Sequence, residues 1–341
     1  MLNVNNGIID LKTGNLLPHD PSKYITKIAP VDYYPNAKAD RWEKFLKEVF
    51  INKLGETDYE LIHFVQKAIG YSLSANTSEE VLFFLIGNGG NGKSKFIEAI
   101  QDILGGYAKQ TNPETFITKQ YENTINSDIA RLNKTRFVVA VESEKGKVLA
   151  EAQVKQLTGG DKVTARFLRK EYFEFKPEFK IFFSSNYKPV ILGNDEGIWR
   201  RLRIIPFNMN LETEKKDRNL SDKLRSEQQG ILKWAVDGFK LWKQEGLNEP
   251  ESIMQEVNKY REDMDPLKQF LDEMCSIANL VNVEIKVLYE QYKSFRATNN
   301  ESVLTKTEFI ASLEERGFKK KVGAKNKRFM VGLTLNTNTT I

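Results

Sequence analysis

Apolar residues recur along this chain in two rhythms, and the change of rhythm separates its elements. Three short blocks, Val81-Leu-Phe-Phe-Leu-Ile, Phe137-Val-Val-Ala-Val and Lys180-Ile-Phe-Phe-Ser, lack the polar alternation of a half-exposed strand. Such blocks suit strands buried on both faces of a parallel sheet covered by helices. Elsewhere the spacing is helical: Trp42, Phe45, Leu46, Val49 and Phe50 after Asp40, then Leu61, Ile62, Phe64, Val65 and Ile69, then Ser94 to Leu104. Residues 217–262 are predicted mainly helical with a break at Gly246 to Pro250. Val163 to Phe175, rich in β-branched, aromatic and basic residues, reads as a hairpin inserted in the sheet domain.

The ends of the chain pattern differently. Residues 1–38 are punctuated by Gly7, Gly14, Pro18, Pro21, Pro30 and Pro35 and read as an extended arm with a hairpin. Asp265-Pro266 marks a boundary, after which helical stripes fall at Phe270, Leu271 and Met274, at Val287, Leu288, Tyr289, Tyr292 and Phe295, and at Phe309, Ile310 and Leu313. Two strands joined by a basic turn, Gly317 to Gly323 and Lys327 to Leu333, follow. Three helices and a basic hairpin are the outline of a winged helix. The expected segments are an arm and helical collar over 1–75, an α/β core over 76–215, a helical lid or linker over 216–264 and a winged-helix module over 265–335.

Charge sharpens that division. The chain of 341 residues carries a formal +5, and the whole excess lies at its end: residues 281–341 hold 11 basic and 6 acidic side chains, while the preceding 280 residues hold 40 of each. A basic module on a neutral body points to nucleic acid at the C-terminal end. A single cysteine and two histidines exclude an internal disulfide and a Cys/His zinc site, so any metal must be held by oxygen. The longest apolar run, Val81 to Ile86, is far below the roughly 20 residues of a membrane span, and the polar start lacks a signal peptide. A cytoplasmic protein without a membrane partner is expected.

The chemistry concentrates around Gly87-Asn-Gly-Gly-Asn-Gly-Lys-Ser94, which fits G-x-x-x-x-G-K-[ST] between a predicted strand and a predicted helix. Glycines 87, 89, 90 and 92 let backbone N–H groups curl around phosphates, and the helix N-terminus adds its positive end. Expected nucleotide contacts run through Gly87, Asn88, Gly89, Gly90, Asn91, Gly92, Lys93, Ser94 and Lys95. Lys93 reaches the β- and γ-phosphates of ATP and the Ser94 hydroxyl binds Mg²⁺. Glu142, at the end of a wholly apolar block, is the candidate magnesium carboxylate. Glu144 is either its partner in water activation or a solvated side chain. Asn186 ends the third block, where it either orients water or forms a turn. Among Arg200, Arg201 and Arg203, either Arg200 or Arg201 could enter a neighbouring subunit's nucleotide site to stabilise transition-state charge, or form a structural ion pair.

The ordered series GNGGNGKS, VVAVESEKG, VKQLTGGDKVTARF, FKIFFSSNYKP and NDEGIWRRLRIIPF resembles the superfamily 3 helicases, specifically the phage and plasmid primase-helicase group related to the poxvirus D5 protein. Asn6-Gly7-Ile-Ile-Asp-Leu resembles that group's opening segment, so the likeness covers nearly all the chain. It implies an AAA+-like ATPase forming a ring, usually a hexamer, with ATP between subunits and 3′ to 5′ translocation on single-stranded DNA. By this resemblance Glu142 matches the Walker B acid, Asn186 the sensor asparagine and Arg200-Arg201 the arginine-finger region. Val163 to Phe175 matches the hairpin that lines the channel.

Residue chemistry supports the hairpin: Arg166, Phe167, Arg169, Lys170 and Tyr172 offer phosphate contacts and stacking surfaces for single-stranded DNA. In a ring, one hairpin per subunit builds a basic channel from a neutral body. Lys319, Lys320, Lys321, Lys325, Lys327 and Arg328 form the expected duplex contact. The carboxylates of Asp263-Met-Asp265 read as boundary sequence rather than a two-metal site. The expected function is an ATP- and Mg²⁺-dependent ring helicase acting on single-stranded and forked DNA in replication of a phage, plasmid or mobile element. It is expected to stand alone or to be joined to a primase or polymerase partner. The alternatives are an initiator ATPase that remodels DNA without processive unwinding, and a nucleotide-controlled DNA-binding regulator.

Overall fold

A computed structural model describes residues 1–118, 127–142, 144–193, 196–209, 217–265, 267–299 and 303–336, without the side chains of Leu280 and Lys325. They form two compact units, Met1–Tyr260 and Arg261–Ile341.

The first unit opens with strands β1 (Leu2–Val4), β2 (Gly7–Asp10) and β3 (Asn15–Leu17), an antiparallel sheet where the arm is expected. Helices α1 (Asp40–Val49) and α2 (Tyr59–Ser72) follow. The α/β section runs β4 (Leu82–Ile86), α3 (Lys93–Leu104), β5 (Ala108–Thr111), α4 (Ser127–Ala130), β6 (Phe137–Glu142), α5 (Glu151–Thr158), β7 (Val163–Ala165), β8 (Phe173–Phe175), β9 (Lys180–Ser185), α6 (Glu196–Trp199) and β10 (Leu202–Pro206). Helices α7 (Leu220–Ser226) and α8 (Gln228–Glu245) come next, and α9 (Glu251–Met264) runs across the division between the units.

The central sheet is five-stranded and wholly parallel, in the order β10-β4-β9-β6-β5. Its inner strands are the three apolar blocks, and their Phe83, Phe182 and Phe137 rings pack in a row at centroid distances of 4.7 and 4.5 Å. The expected hairpin is present, with β7 and β8 antiparallel and Val163 paired to Phe175. β5 was not expected: it is an edge strand of sequence Ala-Lys-Gln-Thr with only Thr111 buried.

Residues 1–75 do not form a separate core. Trp42 of α1 stacks on Phe96 of α3 at 5.6 Å and meets Trp234 of α8 edge-on at 5.4 Å, within one apolar cluster that runs from Leu2 to Ile253. The first turn of α1 is capped from afar: the Glu227 carboxylate accepts from the backbone N–H groups of Arg41 and Trp42, each at 2.9 Å. Such a cap satisfies donors that a helix start leaves open.

The second unit contains α10 (Lys268–Met274), β11 (Cys275–Glu284), α11 (Ile285–Thr298), α12 (Lys306–Glu315), β12 (Lys319–Val322) and β13 (Arg328–Leu335). Three helices and a closing hairpin fall where the apolar stripes and the basic turn lie, and β11 adds an unanticipated strand, giving the antiparallel order β11-β13-β12. Its core gathers Phe270, Tyr292, Phe309 and Leu313. Asp265 accepts from the N–H groups of Leu267 and Lys268 and pairs with Arg316, so it serves structure at the start of this unit.

Candidate nucleotide and DNA site

Three consecutive neighbours in the sheet deliver their C-terminal ends to one place. β4 and β6 flank β9, and the register sets Ile86 and Glu142 both opposite Ser185. Ligands in open α/β sheets bind outside such strand ends. A cavity of about 1230 Å³ lies there, lined by Gly89 to Lys95, Glu142, Ser184, Ser185 and Asn186.

The loop from Gly87 to Gly92 is shaped by its small residues. A Cβ on Gly87 would fall 2.0 Å from Asn91 Nδ2, whose buried amide donates to the Phe207 carbonyl at 2.5 Å. Gly92 takes φ +95 just before α3, where a Cβ would press into Val49 of α1 at 2.6 Å. Lys93, the first residue of α3, folds back over the loop. Its Nζ donates to the carbonyls of Gly87 and Asn88 and to Oδ1 of Asn91 and of Asn186, the last three at 3.1, 3.0 and 3.2 Å. Burial pushes its ammonium below the ordinary lysine value. Ser94 is exposed to the cavity one residue on. Lys95 also lines it, held by Glu98 at 3.2 Å and Ser221 at 2.5 Å. Gly87 and Asn88 are not among the cavity's lining residues, although their carbonyls hold Lys93.

The two acids separate. Glu142 lines the cavity and its Oε1 accepts from the Glu144 backbone N–H at 2.8 Å. The Glu144 side chain is 67% exposed, outside the cavity lining, and pairs with Lys147 at 2.7 Å. The two arginines separate as well. Arg200 is 63% exposed and reaches Glu80 Oε2 at 3.1 Å. Arg201 is 8% exposed, and its guanidinium is taken up by Glu80, Thr158 and Gly197. Neither lines the cavity.

The cavity's far wall was missed in the sequence. It is made by Arg41, Lys44, Phe45 and Glu48 of α1 and by Met209, Asp217, Arg218, Leu220 and Lys223. Arg41 donates to Glu48 at 3.1 Å and faces Asp217 at 3.8 Å, while its Nη1 is buried without a hydrogen-bond partner. A bond from Lys223 at 2.8 Å holds the Asp217 carboxyl below its ordinary range. The signal was available: Arg41, Lys44 and Glu48 share the polar flank of a strongly amphipathic helix.

At the hairpin, the Arg166 guanidinium lies over the Tyr172 ring at 4.6 Å and Phe167 stacks on Phe173 at 5.9 Å. Phe167, Leu168 and Tyr172 are exposed, and Arg169 sits at the turn with φ +59, followed by Lys170. On the second unit, Lys320 pairs with Glu314 and Lys327 with Glu284, at 2.8 and 2.7 Å. Lys319, Lys321 and Arg328 are exposed; the Lys325 side chain lies outside the described residues.

Fold and site together define an α/β protein with a P-loop-like core. Residues 1–51 match the family described as D5 N terminal like, and residues 85–201 match a Family of unknown function (DUF5906). A protein of Acanthamoeba polyphaga mimivirus provisionally named as a helicase is 28% identical over 319 residues, 88% of this chain and 33% of its own length. A protein of African swine fever virus provisionally named as a primase is 26% identical over 209 residues, covering 60% of this chain and 21% of its own. A Frog virus 3 protein provisionally named as a helicase is 26% identical over 230 residues, covering 62% and 24%. The chain thus spans one third or less of the length of these curated relatives. The apo NrS-1 C-terminal region shares the fold with a TM-score of 0.57 at 13% identity, over 89% of this chain and 79% of that one. The chain is similar to the D5-like superfamily 3 primase-helicases. Among the described residues no helix is long and apolar enough to cross a membrane.

Proposed function

We propose that this chain is an ATP-hydrolysing DNA helicase motor of the AAA+ type that works in viral or mobile-element replication as a ring, the hexamer usual for its likeness. The observation that carries the reading is the convergence of the Gly87–Ser94 loop, Glu142 and Asn186 on one cavity, with Lys93 bonded to Asn186 across it. In this reading Lys93 exchanges its carbonyl acceptors for the β- and γ-phosphate oxygens of ATP, and backbone N–H groups from Gly89 to Ser94 cradle the phosphates. Ser94 and Glu142, both oxygen donors on the cavity wall, would hold Mg²⁺, which withdraws phosphate charge when bound. Asn186 orients the attacking water. Arg200, exposed and absent from its own subunit's cavity, serves the neighbour's site as the finger.

The hairpin supplies the grip on single-stranded DNA through Arg166, Phe167, Arg169, Lys170 and Tyr172. The second unit acts as a winged helix whose Lys319, Lys321 and Arg328 face duplex phosphates. A primase partner is in keeping with the African swine fever virus relative, which is provisionally named as a primase. The test is ATPase with and without single-stranded DNA, together with displacement of a strand from a fork, for the native chain and Lys93→Ala. Native protein should do both and Lys93→Ala neither. Assembled native protein without DNA-dependent unwinding would sink the helicase reading, and turnover surviving Lys93→Ala would sink the site.

A further inference from the structure

Arg201 is buried and its guanidinium is firmly held, unlike the exposed guanidinium of Arg200. Its Nε donates to Thr158 Oγ1 at 3.1 Å, its Nη1 to the Gly197 carbonyl at 2.6 Å and its Nη2 to Glu80 Oε2 at 2.7 Å. Three bonds to a planar fork fix its orientation as well as its place. Glu80 Oε2 is also the oxygen that accepts from Arg200 Nη2 at 3.1 Å, so the exposed and the buried arginine share one acceptor.

The other end of the network is the root of the hairpin. Thr158 is the last residue of α5, the Gly159-Gly160 turn follows, and Val163 begins β7. A Cβ built on Gly159 would lie 3.7 Å from Arg201 Nη2, so the guanidinium sits against the turn that launches the hairpin. The Thr158 hydroxyl donates to the Val154 carbonyl at 2.7 Å, which leaves its oxygen to accept from Arg201. Charge neutralisation of Arg201 needs only Glu80. The bond to Thr158 and the oxygen shared with Arg200 place Arg201 between two surfaces that the proposed function uses, the Arg200 side chain and the hairpin.

We propose that Arg201 is a positioning residue linking Arg200 to the root of the β7–β8 hairpin. When a phosphate on a neighbouring copy draws Arg200 off Glu80, the shared oxygen tightens on Arg201, and the change reaches the hairpin through Thr158. The link rests on the reading of Arg200 as a finger and of the hairpin as a DNA contact.

Thr158→Val keeps the side chain's shape and removes the acceptor, whereas Thr158→Ser keeps the acceptor. Both are assayed for basal ATPase, for its stimulation by a single-stranded oligonucleotide, and for oligonucleotide affinity with and without a nonhydrolysable ATP analogue. Basal turnover should match native in both. Thr158→Val should lose about fivefold in DNA stimulation and in the analogue's effect on affinity, the low end of an inter-site coupling, while Thr158→Ser retains them. Should Thr158→Val fail to fold, Arg201→Lys, which keeps the charge and loses the fork, should show the same loss. Native stimulation and native analogue dependence in the folded variant overturn the link and leave the motor reading standing. A native chain whose turnover ignores DNA overturns the motor reading and the link with it.

Discussion

The Nζ of Lys93 lies 3.2 Å from Oδ1 of Asn186, a direct bond between the start of α3 and the residue that follows β9. In the proposed motor that amide would turn to a water or a γ-phosphate once ATP is bound. Asn186→Ala should lower kcat by about 10²-fold, the scale for losing one preorganised polar group, with a smaller change in nucleotide affinity. Steady-state turnover and analogue titration separate the two effects. Equal losses in both would make Asn186 a binding group only.

Glu142 and Glu144 are two residues apart and should behave as unlike as their surroundings. Glu142→Gln keeps the shape at the cavity wall and should abolish hydrolysis while ATP still binds. Glu144→Gln removes one side of a solvent-screened ion pair with Lys147 and should leave turnover near native. Single-turnover ATPase on both variants is the check, and an inactive Glu144→Gln would return that residue to water activation.

Arg200 and Arg201, one residue apart, should fail in opposite ways. Arg200→Ala should melt like the native chain and lose about 10³-fold in turnover, the lower range for an arginine finger. Arg201→Ala breaks a buried pair with Glu80 and should lose about 3–5 kcal/mol of stability, read by denaturant titration. If the proposed finger acts on a neighbour, mixing Arg200→Ala with Lys93→Ala should restore some turnover, since mixed rings would contain an intact loop facing an intact finger. No recovery on mixing would place Arg200 outside the site.

Lys180, at the start of β9, is buried and donates to the carbonyls of Ser74, Asn76 and Glu178. Desolvation lowers its pKa well below 10.5. The unfolded chain then binds more protons than the native one, so this group makes stability rise with pH between its folded value and 10.5. Lys180→Met should lose that rise. It should also be less stable at neutral pH, because the carbonyls lose their donor at about 1–3 kcal/mol. Urea unfolding of both proteins on the alkaline side of neutrality tests this, and parallel pH curves would refute it.

What the sequence reveals of this molecule follows burial. β4, β6 and β9 were legible because both their faces are covered, which leaves an unbroken apolar run. β5 was not, because an edge strand with only Thr111 buried carries no apolar run. β11 was hidden for another reason: its ladder to β13 slips between Ile277 and Asn282, so no period-two pattern spans it. The loop from Gly87 to Gly92 was readable since its curvature demands glycine at fixed spacing. The wall from α1 showed only as the polar flank of an amphipathic helix, because Arg41 meets Asp217 only through folding. Adjacent Arg200 and Arg201 look alike in sequence and are told apart by Thr158 and Gly197, which bury one of them.

The basic strand of the second unit offers a test that separates neighbouring lysines. Lys319, Lys320 and Lys321 alternate along β12, paired with Val331, Met330 and Phe329 of β13, so the middle one faces away from the other two. Lys320 is engaged by Glu314 at 2.8 Å. If Lys319 and Lys321 meet duplex phosphates, each contact displaces about 0.9 counterions, and replacing both by alanine should flatten the salt dependence of duplex binding by about 1.8 in slope. Lys320→Ala should change that slope far less, since its charge is already balanced at the surface. Binding to a duplex measured over a range of salt concentrations, with nucleotide held constant, gives the three slopes. A larger change from Lys320→Ala than from the double variant would mean that the opposite face of the hairpin lies against DNA.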